Sequence, residues 1–388
     1  MEGIITWITS LGLDSNIARL LVLVAYGAIL ALVVAPMTVV VFTYMERKVI
    51  ARIQDRIGPN RAGPFGVLQA LADAVKMISK EDITPLGADR IVYNIAPALA
   101  IASSIMIYAV IPLGPGIVGA DLDIGVLYIV AVGTLGTFAI LMGGWASNNK
   151  YALLGAFRVI AQLIAYEIPM VVALITVALA AGSMSLGDIV ARQDVWYIIQ
   201  LPLVFAIFFV ASVAETGRSP FDLTEGESEI IAGYHVEYSG FKFALFMLGE
   251  YAHMFAVAAL STTLFMGGWR GPGAGPDTWW GVVLGIIYFL IKSLIWVFVM
   301  MWWRGTLPRF RIDQLLDFGW KFLVPVSLVI LMVVAVLLKV VEPLGTIPAA
   351  LILLVGNIMT AAVCLGVLRL AARSSRDRAL RGIAAVDT

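Results

Sequence analysis

Between Ala214 and Tyr238 the chain reads AETGRSPFDLTEGESEIIAGYHVEY. This stretch holds Glu215, Asp222, Glu225, Glu227, Glu229 and Glu237, and its only Lys or Arg is Arg218. Carboxylates gathered this closely raise one another's pKa, as burial does, so such groups can exchange protons near neutral pH. Further ionisable residues, Glu167, Glu250 and Lys292, stand inside long apolar runs. An acid or base at membrane depth costs about 3 kcal/mol on insertion scales, which favours groups that are protonated, paired or hydrated and face a bundle interior. A Glu–Lys pair locking two helices accounts for any one of them. Three acids (Glu167, Glu215, Glu250) and Lys292 at graded depths, beside an acidic loop, point instead to a proton relay.

The elements that must position these groups are helices in a bilayer. The chain has 388 residues, 61% hydrophobic and 13% charged, about half the charge of a soluble domain. Apolar runs of spanning length recur throughout, without the alternation of a β-barrel, so the fold class is an all-α polytopic membrane protein forming a single integral domain over 1–388. Nine spans are expected: Ile17–Tyr44, Ile91–Ile111, Gly125–Leu141, Ile160–Ala181, Trp196–Ala214, Phe241–Phe265, Trp279–Trp303, Phe322–Val341 and Ile347–Leu370. The N-terminal run is too long for a cleavable signal. Of 26 Lys and Arg, only Arg19, Arg192, Arg270 and Lys339 fall on one side and Lys292 lies within a span. The excess on the other side places the N-terminus outside and the basic tail inside.

This topology makes 45–90 an inner loop, 215–240 an acidic inner loop, and 344–388 an additional helix with a basic tail. By helical rise Glu167 lies about 10 Å, Glu250 about 14 Å and Lys292 about 16 Å below the inner surface, with Glu215 at that surface. In the first inner loop Leu68, Leu71, Val75 and Ile78 recur at helical spacing, which predicts an amphipathic surface helix. In the acidic loop Asp222 with Glu225, or Thr224 with Glu227, has the spacing of a capping box for a short helix. The single cysteine, Cys364, excludes an iron–sulfur cluster held by this chain, and His235 and His253 lack the spacing of a metal or haem pair.

The segments YMERKVIARIQDRIGPNRAGPFGVLQALAD, GWASNNKYALLGAFRVIAQLIAYEIPM, AETGRSPFDLTEGESEIIAGYHVEYSGFKFALFMLGEY and RGTLPRFRIDQLL resemble the H subunit of respiratory complex I, the proton-translocating NADH–quinone oxidoreductase. The resemblance implies a non-redox membrane subunit of the bacterial inner membrane. It lies against peripheral-arm iron–sulfur subunits and other membrane subunits, with quinone as substrate and with FMN and iron–sulfur clusters in the partners. No nucleic acid is implied. Carried over by motif, Glu46, Arg47 and Asp73 line the quinone route. Glu167, Glu215, Asp222, Glu225, Glu227, Glu250, Arg218 and Lys292 form a charged coupling path. The alternatives are the equivalent subunit of a membrane-bound hydrogenase or of a ferredoxin- or deazaflavin-linked dehydrogenase, and, from another class, a standalone transporter. The chain departs from many family members in its ninth span and tail, for which peripheral packing is expected, and in the segment before Ile17.

Overall fold

A computed structural model describes residues 9, 14–222, 232–276, 278–342 and 345–384. The long helices are α1 (Ser15–Ile53), α3 (Arg90–Ile107), α4 (Gly125–Ala146), α5 (Lys150–Ala181), α9 (Gly240–Phe265), α10 (Trp279–Thr306), α11 (Ile312–Val341) and α12 (Thr346–Ala384). Shorter ones are α2 (Gln69–Ser79), α6 (Leu186–Ala191), α7 (Tyr197–Gln200) and α8 (Pro202–Glu215). Among the described residues, eight helices are long and apolar enough to cross a membrane.

The expected span Trp196–Ala214 is the exception. At Leu201 the backbone leaves the helical region (φ −127°, ψ 56°), and Pro202 has no N–H to continue the ladder. What remains is the 14-residue α8, about 21 Å long against a hydrocarbon core of about 30 Å. Interrupted backbone at such a depth is tolerated only when protein covers it. Leu201, Val204 and Phe208 are fully buried, and α12 packs across both α7 and α8.

Proline also shapes two spans without breaking them. In α1 the wide turn Leu30–Val34 precedes Pro36, and in α11 the wide turn Gly319–Leu323 precedes Pro325. A π-type turn absorbs the hydrogen bond that proline cannot donate. The start of α5 lies ten residues before the expected span. Asn149 caps it by accepting from the Tyr151 N–H, so the charged stretch from Lys150 continues the helix beyond the apolar run.

Helix α9 lies at the centre. From Met254 to Phe265 every residue is buried. Its small side chains permit close approach: a Cβ on Gly249 would sit 3.2 Å from the Ala100 carbonyl of α3. Large apolar side chains such as Leu32, Met332 and Met359 face outward, as a lipid-covered surface requires. The predicted surface helix is α2, with Leu68 just ahead of it, and Leu68, Leu71, Val75 and Ile78 are all exposed.

Candidate functional site: a buried ion cluster joined to a line of acids

The chain reverses after α8 through TGRSPF. Gly217 adopts φ +62°, the Phe221 N–H donates to the Arg218 carbonyl at 2.9 Å, and Gln162 of α5 clamps the turn. Its Nε2 donates to the carbonyls of Ala214 (2.7 Å) and Phe221 (2.9 Å). From the other side the Phe310 N–H donates to the Pro220 carbonyl at 3.0 Å. Held this way, Arg218 points into the protein and is 3% exposed.

There it meets two acids. Its Nη1 donates to both oxygens of Glu46 on α1, at 3.0 and 2.9 Å. Its Nη2 lies 3.1 Å from Glu250 Oε1 on α9. The guanidinium carbon stands 4.4 Å over the Tyr251 ring, and the Tyr251 hydroxyl donates to Glu46 Oε2 at 2.9 Å. Arg304, near the end of α10, also donates to Glu46. A buried carboxylate is tolerated when paired and hydrogen-bonded, and Glu46 accepts from three donors. The cluster thus fastens α1, the turn after α8, α9 and α10 at one point.

Glu46 and Arg47 are adjacent but enter different networks. Arg47 turns to the surface helix and donates to Asp73 Oδ2 at 2.7 Å, where Gln69 and Lys76 also approach. Partial burial raises the Asp73 carboxyl, but the hydrogen bond and charge of Arg47, together with Gln69 and Lys76, hold that carboxyl below its ordinary range. The trio expected from the resemblance is therefore divided between two networks: Arg47 pairs with Asp73, and Glu46 meets Arg218, which also contacts Glu250.

Beyond Glu250 lies a cavity of about 100 Å³, lined by Glu250, Glu215, His253, His235 and Gln162 among others. Burial pushes the His235 imidazole down to about 4, so it stands neutral there. Glu215 Oε1 lies 3.6 Å from His253 Nε2. On the far side of this pair a smaller cavity of about 20 Å³ is lined by Glu215, His253 and Glu167. The structure therefore brings Glu46, Arg218, Glu250, Glu215 and Glu167 into one neighbourhood.

Asp222 accepts from Arg309 Nη2 at 3.2 Å, beside the turn. Glu225 and Glu227, with the expected capping boxes, lie outside the described residues. Glu237, at the end of the acidic stretch, has an anchoring position. Its carboxylate accepts from Asn149 at 2.6 Å and its carbonyl from the Tyr93 hydroxyl at 2.8 Å.

Lys292 is not brought to the acids. Its ammonium donates to the carbonyls of Met266, Gly268 and Arg270 at 2.9, 2.9 and 2.8 Å. These belong to the reversal that follows the far end of α9, about 24 Å along the helix from Glu250. Gly267 and Gly268, at φ +69° and +53°, fold that backbone toward it. A lysine accepting this task supplies charge to the carbonyl end of a helix. Depth counted along its own span placed Lys292 with the acids, but it serves the opposite end of the neighbouring helix.

Tyr251, Arg304, His253 and Gln162 are not among the site residues expected from the sequence. For two of them a signal was present. Tyr251 is adjacent to Glu250, and His253 is three residues on, hence on the same helical face.

The NADH dehydrogenase family matches residues 26–335. The H subunit of NADH-quinone oxidoreductase from Geobacillus kaustophilus (strain HTA426) is 50% identical over 332 residues, covering 85% of this chain and 97% of the relative. Its counterpart from Dehalococcoides mccartyi (strain CBDB1) is 50% identical over 298 residues, covering 77% and 82%. That from Rhodospirillum centenum (strain ATCC 51521 / SW) is 48% identical over 304 residues, covering 78% and 90%. Similarity of this depth, running through every segment that builds the ion cluster and the line of acids, shows that the chain belongs to the NADH dehydrogenase family as an H subunit of NADH-quinone oxidoreductase.

Proposed function

We propose that this subunit carries no redox group of its own, forms part of the quinone chamber, and couples quinone reduction to proton translocation through its intramembrane carboxylates. The observation that carries the reading is the continuity of the site. Glu46, Arg218 and Glu250 are joined by direct contacts, and Glu250, Glu215 and Glu167 border two cavities that share the Glu215–His253 pair.

Quinone reduction takes two electrons and two protons. On this reading the electrons come from iron–sulfur clusters in partner subunits, fed through FMN, and the chain contributes charge and protons. A carboxylate that loses its proton in a buried site leaves negative charge that is costly to keep there. Arg218 faces two carboxylates at once and answers a charge on either by shifting between them. Glu215 and Glu167 then supply or take the compensating proton. Glu225 and Glu227, with Asp222, extend the acidic entrance. Arg47 and Asp73 orient the surface helix α2, whose exposed apolar face suits the path of an amphipathic quinone from the bilayer. The bacterial relatives are named for a quinone enzyme, and on this reading the assembly works in the bacterial inner membrane.

Glu215 provides the test. Gln keeps the shape of Glu but cannot cycle a proton, whereas Asp retains the titratable group. In assembled complex reconstituted into vesicles, Glu215→Gln lowers quinone reduction and proton uptake together by about tenfold, equal to about 1.4 kcal/mol on the barrier. Glu215→Asp is the milder change. A purely structural acid gives the reverse order, with isosteric Gln the better tolerated. On the quinone side, Arg47→Ala impairs quinone reduction while electron entry into the peripheral arm stays normal. Equal loss of both activities in an assembled complex counts against a role in the quinone route.

A further inference from the structure

His253 stands where the two cavities meet. It lines the larger one with Glu250, His235 and Glu215, and the smaller one with Glu167 and Glu215. Its Nε2 faces Glu215 Oε1 at 3.6 Å, within the looseness common for proton-transfer pairs before turnover. The larger cavity has the chemistry of a hydrated space. Gln162 is 1% exposed, and among the described residues its Oε1 has no hydrogen-bond partner, nor has Glu215 Oε2 or His235 Nδ1. All three residues line that cavity. Buried polar atoms that face a cavity and have no protein partner call for water. The smaller cavity, at about 20 Å³, exceeds the roughly 10–15 Å³ needed to seat one water.

We propose that His253 carries protons between Glu215 and the compartment of Glu167, accepting at one ring nitrogen and releasing from the other. This rests on the coupling role proposed above for the acids. In the forward step the O–H bond of protonated Glu215 breaks as an Nε2–H bond forms, giving a carboxylate and an imidazolium. The Nδ1–H bond then breaks, and its proton passes to water in the smaller cavity and so to Glu167. The ring is left neutral in its other tautomer, and a turn of the ring or the reverse transfer resets it. Glu215 itself also borders the smaller cavity, and His253 adds a route that joins that cavity to the larger one. An imidazole with two distinct nitrogens spans the junction without leaving its helix.

The titratable groups sharing these cavities are Glu215 of α8, Glu250 on the same helix as His253, Glu167 of α5, and Tyr234 and His235 of the loop before α9. Helices α3 and α4 contribute only neutral residues there. Glu46 of α1 and Arg304 of α10 are paired with each other. Among the described residues no lysine borders either cavity, and His253 is the imidazole that borders both.

The test uses the assembled complex in vesicles with His253→Gln, His253→Asn and Glu215→Gln. Quinone reductase rate, proton uptake and their pH profiles are measured. Both His253 variants are expected to run about three- to tenfold slower in both readouts, less than the roughly hundredfold or more that a general acid–base group contributes at a reacting bond because water partly replaces the relay, and to show an altered pH profile. Unchanged rates overturn the proposal. So does a slower enzyme with an unaltered pH profile, because that is what a packing role gives. If Glu215→Gln is impaired and the His253 variants are not, this inference alone fails. If Glu215→Gln is also fully active and fully pumping, the coupling role of Glu215 fails with it. Should neither His253 variant assemble, infrared difference spectra of the unaltered complex decide: imidazole ring bands that change during quinone reduction support the transfer, and spectra without them overturn it.

Discussion

Arg218→Met is expected to leave little or no active complex. The side chain keeps its apolar stem and loses the guanidinium that joins Glu46 to Glu250. Breaking a buried ion pair by removing one partner costs about 3–5 kcal/mol, because the other charge stays buried without compensation. Here two carboxylates lose the same partner. Arg304 and Tyr251 still reach Glu46, and Glu250 loses its contact with Arg218. The measurement is the thermal midpoint and quinone reductase rate of detergent-solubilised complex. A second substitution separates charge from shape. Arg218→Met combined with Glu250→Gln recovers stability relative to Arg218→Met alone, because one of the two carboxylates that faced Arg218 no longer carries charge, but not coupled activity. A double variant no more stable than the single one means that packing around the turn dominates, and the cluster is then not held by charge.

The second large effect is expected at Gly66→Ala, in the loop between α1 and α2. Gly66 has φ +81°, and a Cβ there would lie 2.5 Å from the Pro59 carbonyl carbon and 2.9 Å from the Asn60 nitrogen. The left-handed conformation costs an L-residue about 1–2 kcal/mol. The collision is with backbone, which no side-chain rotation relieves. The loop must move, and with it the bond from the Tyr44 hydroxyl to the Phe65 carbonyl and the seat of α2. Displacements of about 1 Å in a substrate-positioning element cost on the order of a hundredfold in rate, and that loss is expected in quinone reduction. Electron entry into the peripheral arm is expected to persist. Gly116→Ala is the control. It shares a positive φ, +70°, but a Cβ there meets nothing within 4 Å, so only the small conformational cost applies. Equal effects from the two variants would mean that strain, not displacement of the loop, limits the rate.

Much of the architecture is legible in the sequence because apolar runs are dictated by the bilayer. The surface helix was legible from Leu68, Leu71, Val75 and Ile78, whose spacing matches one face. The break at Leu201 was not, since Pro202 lies inside a continuous apolar run and hydropathy does not register a missing N–H. The early start of α5 was hidden for a related reason: a helix need not end where its charges begin. At the site, Glu167 and Glu250 stand out in the sequence as charges at membrane depth, Glu215 as an acid at the end of an apolar run, and Arg218 only as the single base of the acidic stretch and through the resemblance. Their arrangement is not legible there, because the partners of Glu46 lie 172, 205 and 258 residues away. The resemblance groups Glu46 with Arg47 and Asp73, and nothing in the sequence shows that Glu46 turns to the buried cluster instead. Lys292 was misplaced because depth along one helix says nothing about a reversing loop that comes to meet it.

The divergence of Glu46 and Arg47 has a thermodynamic consequence. On a helix, consecutive residues are separated by about 100° of rotation and 1.5 Å of rise, so a single peptide link ties the surface contact with Asp73 to the buried contact with Arg218. The two ends share one rigid body, and no chain of intervening side chains is needed to connect them. Any free energy by which docking at the surface helix alters the proton affinity of the buried cluster must reappear, equal in size, as an effect of the cluster's protonation on that docking. Whatever change in binding at the edge accompanies a titration at the core, the reverse experiment must return the same number.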